Sequence, residues 1–108
     1  MVEQLSVEEL QAWLNDPARP APLLLDVREH WEFELCQLPA SQLVPLNTLP
    51  EAWEQLDPAR DVVCICHHGV RSRSAAAFLV QQGLTRVYNL SGGIDAWARR
   101  IDPGMAVY

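Results

Sequence analysis

The chain has no lysine: its eight cations are all arginines, set against fourteen carboxylates, for a formal net charge of −6. An acidic chain argues against nonspecific binding to nucleic acid or to a membrane surface, because phosphate-rich surfaces attract cations. Cysteine is scarce, at three in 108 residues. Three thiols cannot all pair, which weighs against the disulfide framework of a small secreted domain and leaves them as core filling or as chemistry. No uninterrupted apolar run approaches the roughly eighteen residues of a membrane span; Ala75 to Val80 is among the longest. The start, Met1-Val2-Glu3-Gln4, lacks the basic segment that opens a signal peptide, so the expected compartment is the cytoplasm. Internal repeats and low-complexity tracts are also missing.

Hydrophobic residues make up 49% of the chain and charged residues 20%, the composition of a packed globule rather than a disordered segment. At 108 residues it is expected to form one domain, 1–108. A chain of this length hides roughly two-thirds of its unfolded surface without a metal or disulfide staple. The charge divides unevenly. Up to Asp57 the carboxylates outnumber Arg19 and Arg28 heavily, whereas after it six arginines face Asp61, Asp95 and Asp102. That local excess of arginine suits a small anion.

Ser6-Val7-Glu8-Glu9 reads as a capping box, with Ser6 as N-cap and Glu9 at the third helical position. Val7, Leu10 and Leu14 follow at helical spacing, and Pro17, Pro20 and Pro22 then make a stiff connection. Leu23 to Val27 is apolar without alternation, as in a strand buried on both faces. His30 to Leu35 suggests a short helix, and Gln42 to Val44 a short strand. Leu49, Ala52, Trp53 and Leu56 mark one face of an amphipathic helix. Asp61 to Cys66 is another doubly apolar strand. Ser72 to Gln82 reads as a helix with Gly83 at its C′ position, Arg86 to Leu90 as a strand, and Ile94, Trp97, Ala98 and Ile101 as one helical face. Pro103 to Tyr108 reads as irregular. Strands alternating with helices predict an α/β sandwich with a largely parallel sheet. In such folds ligands sit outside the carboxyl ends of the strands.

The turn in that position is Cys66-His67-His68-Gly69-Val70-Arg71-Ser72. A short loop between a strand end and a helix start tends to turn backbone N–H groups inward. The helix beginning near Ser72 adds unpaired donors and the positive end of its dipole. Arg71 adds a permanent charge, with His67 and His68 as optional ones, and Gly69 supplies freedom for positive φ. All of these favour a thiolate at Cys66, which would then serve as a nucleophile. The bland alternative is a cysteine filling core space at a strand end; the strand–loop–helix setting with Gly69 and Arg71 favours the reactive one.

Cys66 to Ser72 resembles the active-site loop of rhodanese-type sulfurtransferases. Leu24-Leu25-Asp26-Val27-Arg28-Glu29, followed by Trp31-Glu32-Phe33, is similar to the first signature of that family, and Asn89 to Trp97 to its closing strand-to-helix turn. The three motifs stand in order over most of the chain, from about Leu5 to Trp97, and resemble the single-domain members. The resemblance implies a three-layer sandwich with a mostly parallel sheet of about five strands and helices on both faces. It implies a Cys66 persulfide, formed from a donor such as thiosulfate and passed to cyanide, a thiol or a protein acceptor. Loop residues His67, His68, Gly69, Val70, Arg71 and Ser72 would cradle the sulfur, with Arg71 orienting the donor or holding the loop. Asp26 and Arg28 would support the loop, Arg28 through an ion pair. Four residues separate Cys66 from Arg71; related phosphatases and arsenate reductases have one more, which opens the loop to a tetrahedral oxyanion. A carrier that hands sulfur to a biosynthetic partner is the alternative, and a binding module without catalysis a further one. Where the family has a Gly-His-Ile-Pro-Gly-Ala-like stretch, this chain reads Cys36-Gln37-Leu38-Pro39-Ala40-Ser41, without the glycines or the histidine. The turn there must therefore be built differently.

Other candidates are weaker. Cys64 and Cys66 share a strand face, but bridging a Cys-x-Cys is strained, and Cys36 as a resolving thiol has only its presence in its favour. Cys64, Cys66, His67 and His68 are too tightly spaced for all four to converge on one tetrahedral ion, so no metal is expected, and no cofactor. Glu29, Glu32 and Glu34 read mostly as a solvated face, from which one carboxylate could pair with Arg28. Trp13, Trp53 and Trp97 read as core, and Trp31 as core or entrance.

Overall fold

Side chains along a strand alternate between the two faces of a sheet, so strands without a polar face require cover on both sides. The computed structural model describes residues 1–108 and provides that cover. Five parallel strands, β1 (Val2–Leu5), β2 (Leu23–Asp26), β3 (Gln42–Leu43), β4 (Val62–Ile65) and β5 (Val87–Leu90), lie in the order β1-β5-β4-β2-β3. The helices are α1 (Val7–Leu14), α2 (His30–Leu35), α3 (Leu49–Ala52), α4 (Val70–Gln81) and α5 (Gly93–Arg100).

Alternation divides the interior into two cores. Leu24, Val63, Ile65 and Leu90 face α1 and α5, meeting Val7, Leu10, Trp13, Ile94 and Trp97. Leu25, Val62, Cys64 and Val87 point the other way, toward Leu49 of α3 and Ala75, Ala76 and Leu79 of α4. Every residue of β4 is buried, in keeping with its place between β5 and β2. No helix is long and apolar enough to cross a membrane.

The capping box is formed as expected, with Ser6 Oγ accepting from the Glu9 N–H and Glu9 accepting from the Ser6 N–H. Three elements differ from expectation. Strand β1 was not expected: it is an edge strand whose Glu3 and Gln4 are exposed, so it carries no hydrophobic signature. The helix expected across Leu49 to Leu56 is a single α-turn that tightens into a 3₁₀ turn over Trp53–Gln55, although Leu49, Ala52, Trp53 and Leu56 still face the core. Helix α4 begins at Val70, two residues early, because Gly69 and not a polar side chain occupies its N-cap. The turn that lacks the family glycines survives in another form, with Ala40 held at φ 64°.

Candidate active site

Cys66 is the first residue beyond β4, at the carboxyl end of the central strand. The loop from it to α4 is short, and two glycines fix its course. Gly69 takes φ 102°, which turns its N–H onto Cys66 Sγ at 3.1 Å. The carbonyls of Cys66 and His67 are drawn the opposite way, accepting from the N–H groups of Ile94 (2.9 Å) and Asp95 (3.1 Å) in the first turn of α5. Gly93 makes that approach possible: a Cβ there would lie 2.5 Å from the Cys66 carbonyl oxygen and 2.4 Å from that of His67. With both carbonyls engaged behind the loop, the sulfur meets a backbone donor.

On its other side the Cys66 thiol donates to Ser72 Oγ at 3.2 Å, and Ser72 donates to Asn89 Oδ1 at 2.5 Å. Asn89 is fixed in orientation because its Nδ2 donates to the Gly69 carbonyl (3.2 Å) and to Gln4 Oε1 (3.0 Å). Cys66, Ser72 and Asn89 are all buried. The cup is shallow. The two surface clefts of the molecule, about 310 and 440 Å³, lie near the amino ends of the strands and include no loop residue.

Arg71 points across to α2. Its Nη1 and Nη2 grip the two oxygens of Glu32 at 2.6 and 2.8 Å. The same carboxylate accepts from the Glu29 N–H (3.0 Å) and the Tyr108 hydroxyl (2.7 Å). These donors, Arg71 first, outweigh burial and hold its pKa down at about 2. Glu32 is thus a buried partner of the loop arginine, not part of a solvated face. Arg28 pairs instead with Asp26, at 2.8 Å with neither side chain exposed. Its remaining donors reach the carbonyls of Glu32 and Cys36 and the Tyr108 oxygen. Burial opposes its charge, but Asp26 and Tyr108 prevail and its pKa is raised. Asp26 and Arg28 therefore brace α2, which in turn holds Arg71. Burial and the adjacent Glu32 carboxylate push the Tyr108 hydroxyl up to about 12, against the pull of Arg28.

The His67 and His68 rings lie 4.1 Å apart between centroids with their planes tilted by 46°, and His67 also meets the Tyr108 ring edge-on at 4.0 Å. Burial, then the proximity of His68, lowers the His67 pKa. Val70 is 67% exposed and Trp31 59% exposed, the latter edge-on to Tyr108. Cys64 is sealed in the core, its thiol pushed up to about 12 by burial and by Cys66. Cys36 belongs to the core on the opposite face of the sheet from the one that Cys66 joins. All three cysteines are free.

Glu32, Asn89 and Tyr108 join the site without having been expected there. A signal existed for two of them. Glu32 stands three residues after Glu29, the spacing at which a side chain reaches back to a helix start, and Asn89 is a polar residue in an apolar strand. Nothing in the local pattern marks Tyr108.

Residues 6–100 match the family model of the rhodanese-like domain. A protein of Allochromatium vinosum described as a sulfurtransferase is 39% identical over 92% of this chain and 91% of its own length. The rhodanese-like/PpiC domain-containing protein 12, chloroplastic, of Arabidopsis thaliana is 36% identical over 99% of this chain, which spans only 38% of that protein's length. The crystal structure of a rhodanese-like domain protein from Staphylococcus aureus superposes with a TM-score of 0.84 at 25% identity, covering 99% of both chains.

Proposed function

The chain belongs to the rhodanese-like family of sulfurtransferases, and on that premise we propose that Cys66 carries the transferred sulfur as a persulfide. The observation that supports this reading most is the Gly69 N–H directed at Sγ from the start of the twelve-residue helix α4. A backbone donor and a helix N-terminus both stabilise negative charge on that sulfur. The Cys66 thiolate attacks the outer sulfur of a donor such as thiosulfate. The donor's S–S bond breaks, sulfite leaves with the electron pair, and a Cys66 persulfide remains. Cyanide or a thiolate then attacks the terminal sulfur, and the electron pair of the second S–S bond returns to Cys66. The covalent intermediate divides one transfer into two displacements.

Arg71 uses two of its donors on Glu32 and stays 36% exposed, so it fixes the loop against α2 while offering its outer edge to an anionic donor. The four-residue spacing from Cys66 to Arg71 supports sulfur over phosphoryl transfer. Intact-mass spectrometry after incubation with thiosulfate tests the proposal. Wild type gains one sulfur atom and Cys66→Ser gains none; a wild type that neither gains mass nor yields thiocyanate with cyanide overturns it.

A second reading, delivery of sulfur to a protein partner, is supported by the exposed apolar side chains Trp31 and Val70 on the helices next to the loop. It expects slow turnover with small donors, rapid relay from a protein persulfide, and loss of that relay in Trp31→Ala. Equal relay in Trp31→Ala counts against it.

A further inference from the structure

The tie between the loop and α5 also brings Asp95 beside the neighbouring pair His67 and His68, which are distant from it in sequence. His67 Nε2 lies 4.0 Å from Asp95 Oδ1, and His68 Nδ1 lies 3.8 Å from Asp95 Oδ2. One donor atom from each residue falls within 4.8 Å of the other two. A point shared by three atoms no farther apart than 4.8 Å is at most about 2.8 Å from each (4.8/√3), against zinc bonds of about 2.0–2.2 Å to imidazole and carboxylate. The residual closure, about 0.7 Å, is within reach of a side-chain rotation at His68, whose side chain is 64% exposed.

Two of the three groups are already placed. The Asp95 N–H donates to the His67 carbonyl at 3.1 Å, and His67 is wedged between His68 and Tyr108. Asp95 is occupied by Arg99, i,i+4 on α5, but that arginine is 63% exposed and such a surface pair contributes little. Two imidazoles and one carboxylate suit a borderline divalent ion; magnesium and calcium favour all-oxygen sets. Cys66 is outside the donor set, its sulfur engaged by Gly69 and Ser72 in the interior.

We propose that His67, His68 and Asp95 form a binding site for a divalent transition-metal ion such as zinc at the rim of the sulfur cup, with three protein ligands and an open fourth position. An ion there clips the loop side chains to α5 at the rim of the cup. The site is independent of the Cys66 chemistry, and its test does not require activity. Zinc chloride is titrated calorimetrically into wild type and variants, and cobalt chloride is followed by visible absorption. Wild type and Cys66→Ser each bind one equivalent with similar affinity, and the cobalt spectrum lacks a thiolate charge-transfer band. His68→Ala and Asp95→Ala each weaken binding by tenfold or more. Loss of binding in Cys66→Ser, unchanged affinity in His68→Ala, or no saturable binding in wild type overturns the proposal.

Discussion

Replacing Glu32 with glutamine keeps the outline of the side chain and removes its charge. In wild type this carboxylate collects donors from Arg71, Glu29 and Tyr108, and its pKa falls from 4.5 to about 2, chiefly through Arg71. A carboxylate whose folded value lies below its unfolded value contributes stability above the unfolded value and loses it as pH falls toward the folded one. The interval from 4.5 to about 2 corresponds to about 3 kcal/mol at roughly 1.4 kcal/mol per pH unit. The Arg71 side chain is 36% exposed, so solvent screening reduces the expectation to about 2 kcal/mol. Urea unfolding followed by tryptophan fluorescence, run on both proteins from about pH 7 down to about pH 3, gives the comparison. Glu32→Gln is less stable by about 2 kcal/mol near neutrality, and the difference shrinks to less than half of that near pH 3, because Glu32 of the unfolded chain takes up a proton there while the folded carboxylate stays largely ionised. A difference equally large at both ends would show that shape, not charge, is at stake, and would refute the reasoning.

Other substitutions probe the rest of the scaffold. Gly93→Ala places a methyl group against two loop carbonyls at a φ of 62°, so it lowers stability by about 2 kcal/mol or more and abolishes the thiosulfate-dependent mass gain; a wild-type melting curve would contradict this. Tyr108→Phe removes the hydroxyl shared by Arg28 and Glu32 and costs about 1–2 kcal/mol, read as a drop in Tm; an unchanged Tm would mean that water replaces it at no cost. Ala40→Gly relieves an alanine held at φ 64° and raises stability by about 0.5 kcal/mol, and a loss of stability in urea would count against that account.

What could be read before folding was local. The Ser6 capping box, the doubly apolar runs that became β2 and β4, and the cysteine at the end of β4 all declare themselves within a few residues. What escaped depends on distance along the chain. Glu32 is a surface carboxylate until Arg71, thirty-nine residues away, reaches it, and Tyr108 meets Glu32 across seventy-six residues. Asp95 reaches the histidines only because Gly93 lets α5 seat against the loop. Strand β1 escaped for a different reason: as an exposed edge it buries little, and its place is set by pairing with β5.

The Cys66 and His67 carbonyls anchor to α5 through main-chain atoms alone. No side chain at 67, 68 or 70 is needed to keep that anchorage, so these positions are free to be exchanged while the main chain below stays put. Selection for a new sulfur donor, or a designer seeking one, could rewrite the rim residue by residue without first solving how to hold the loop.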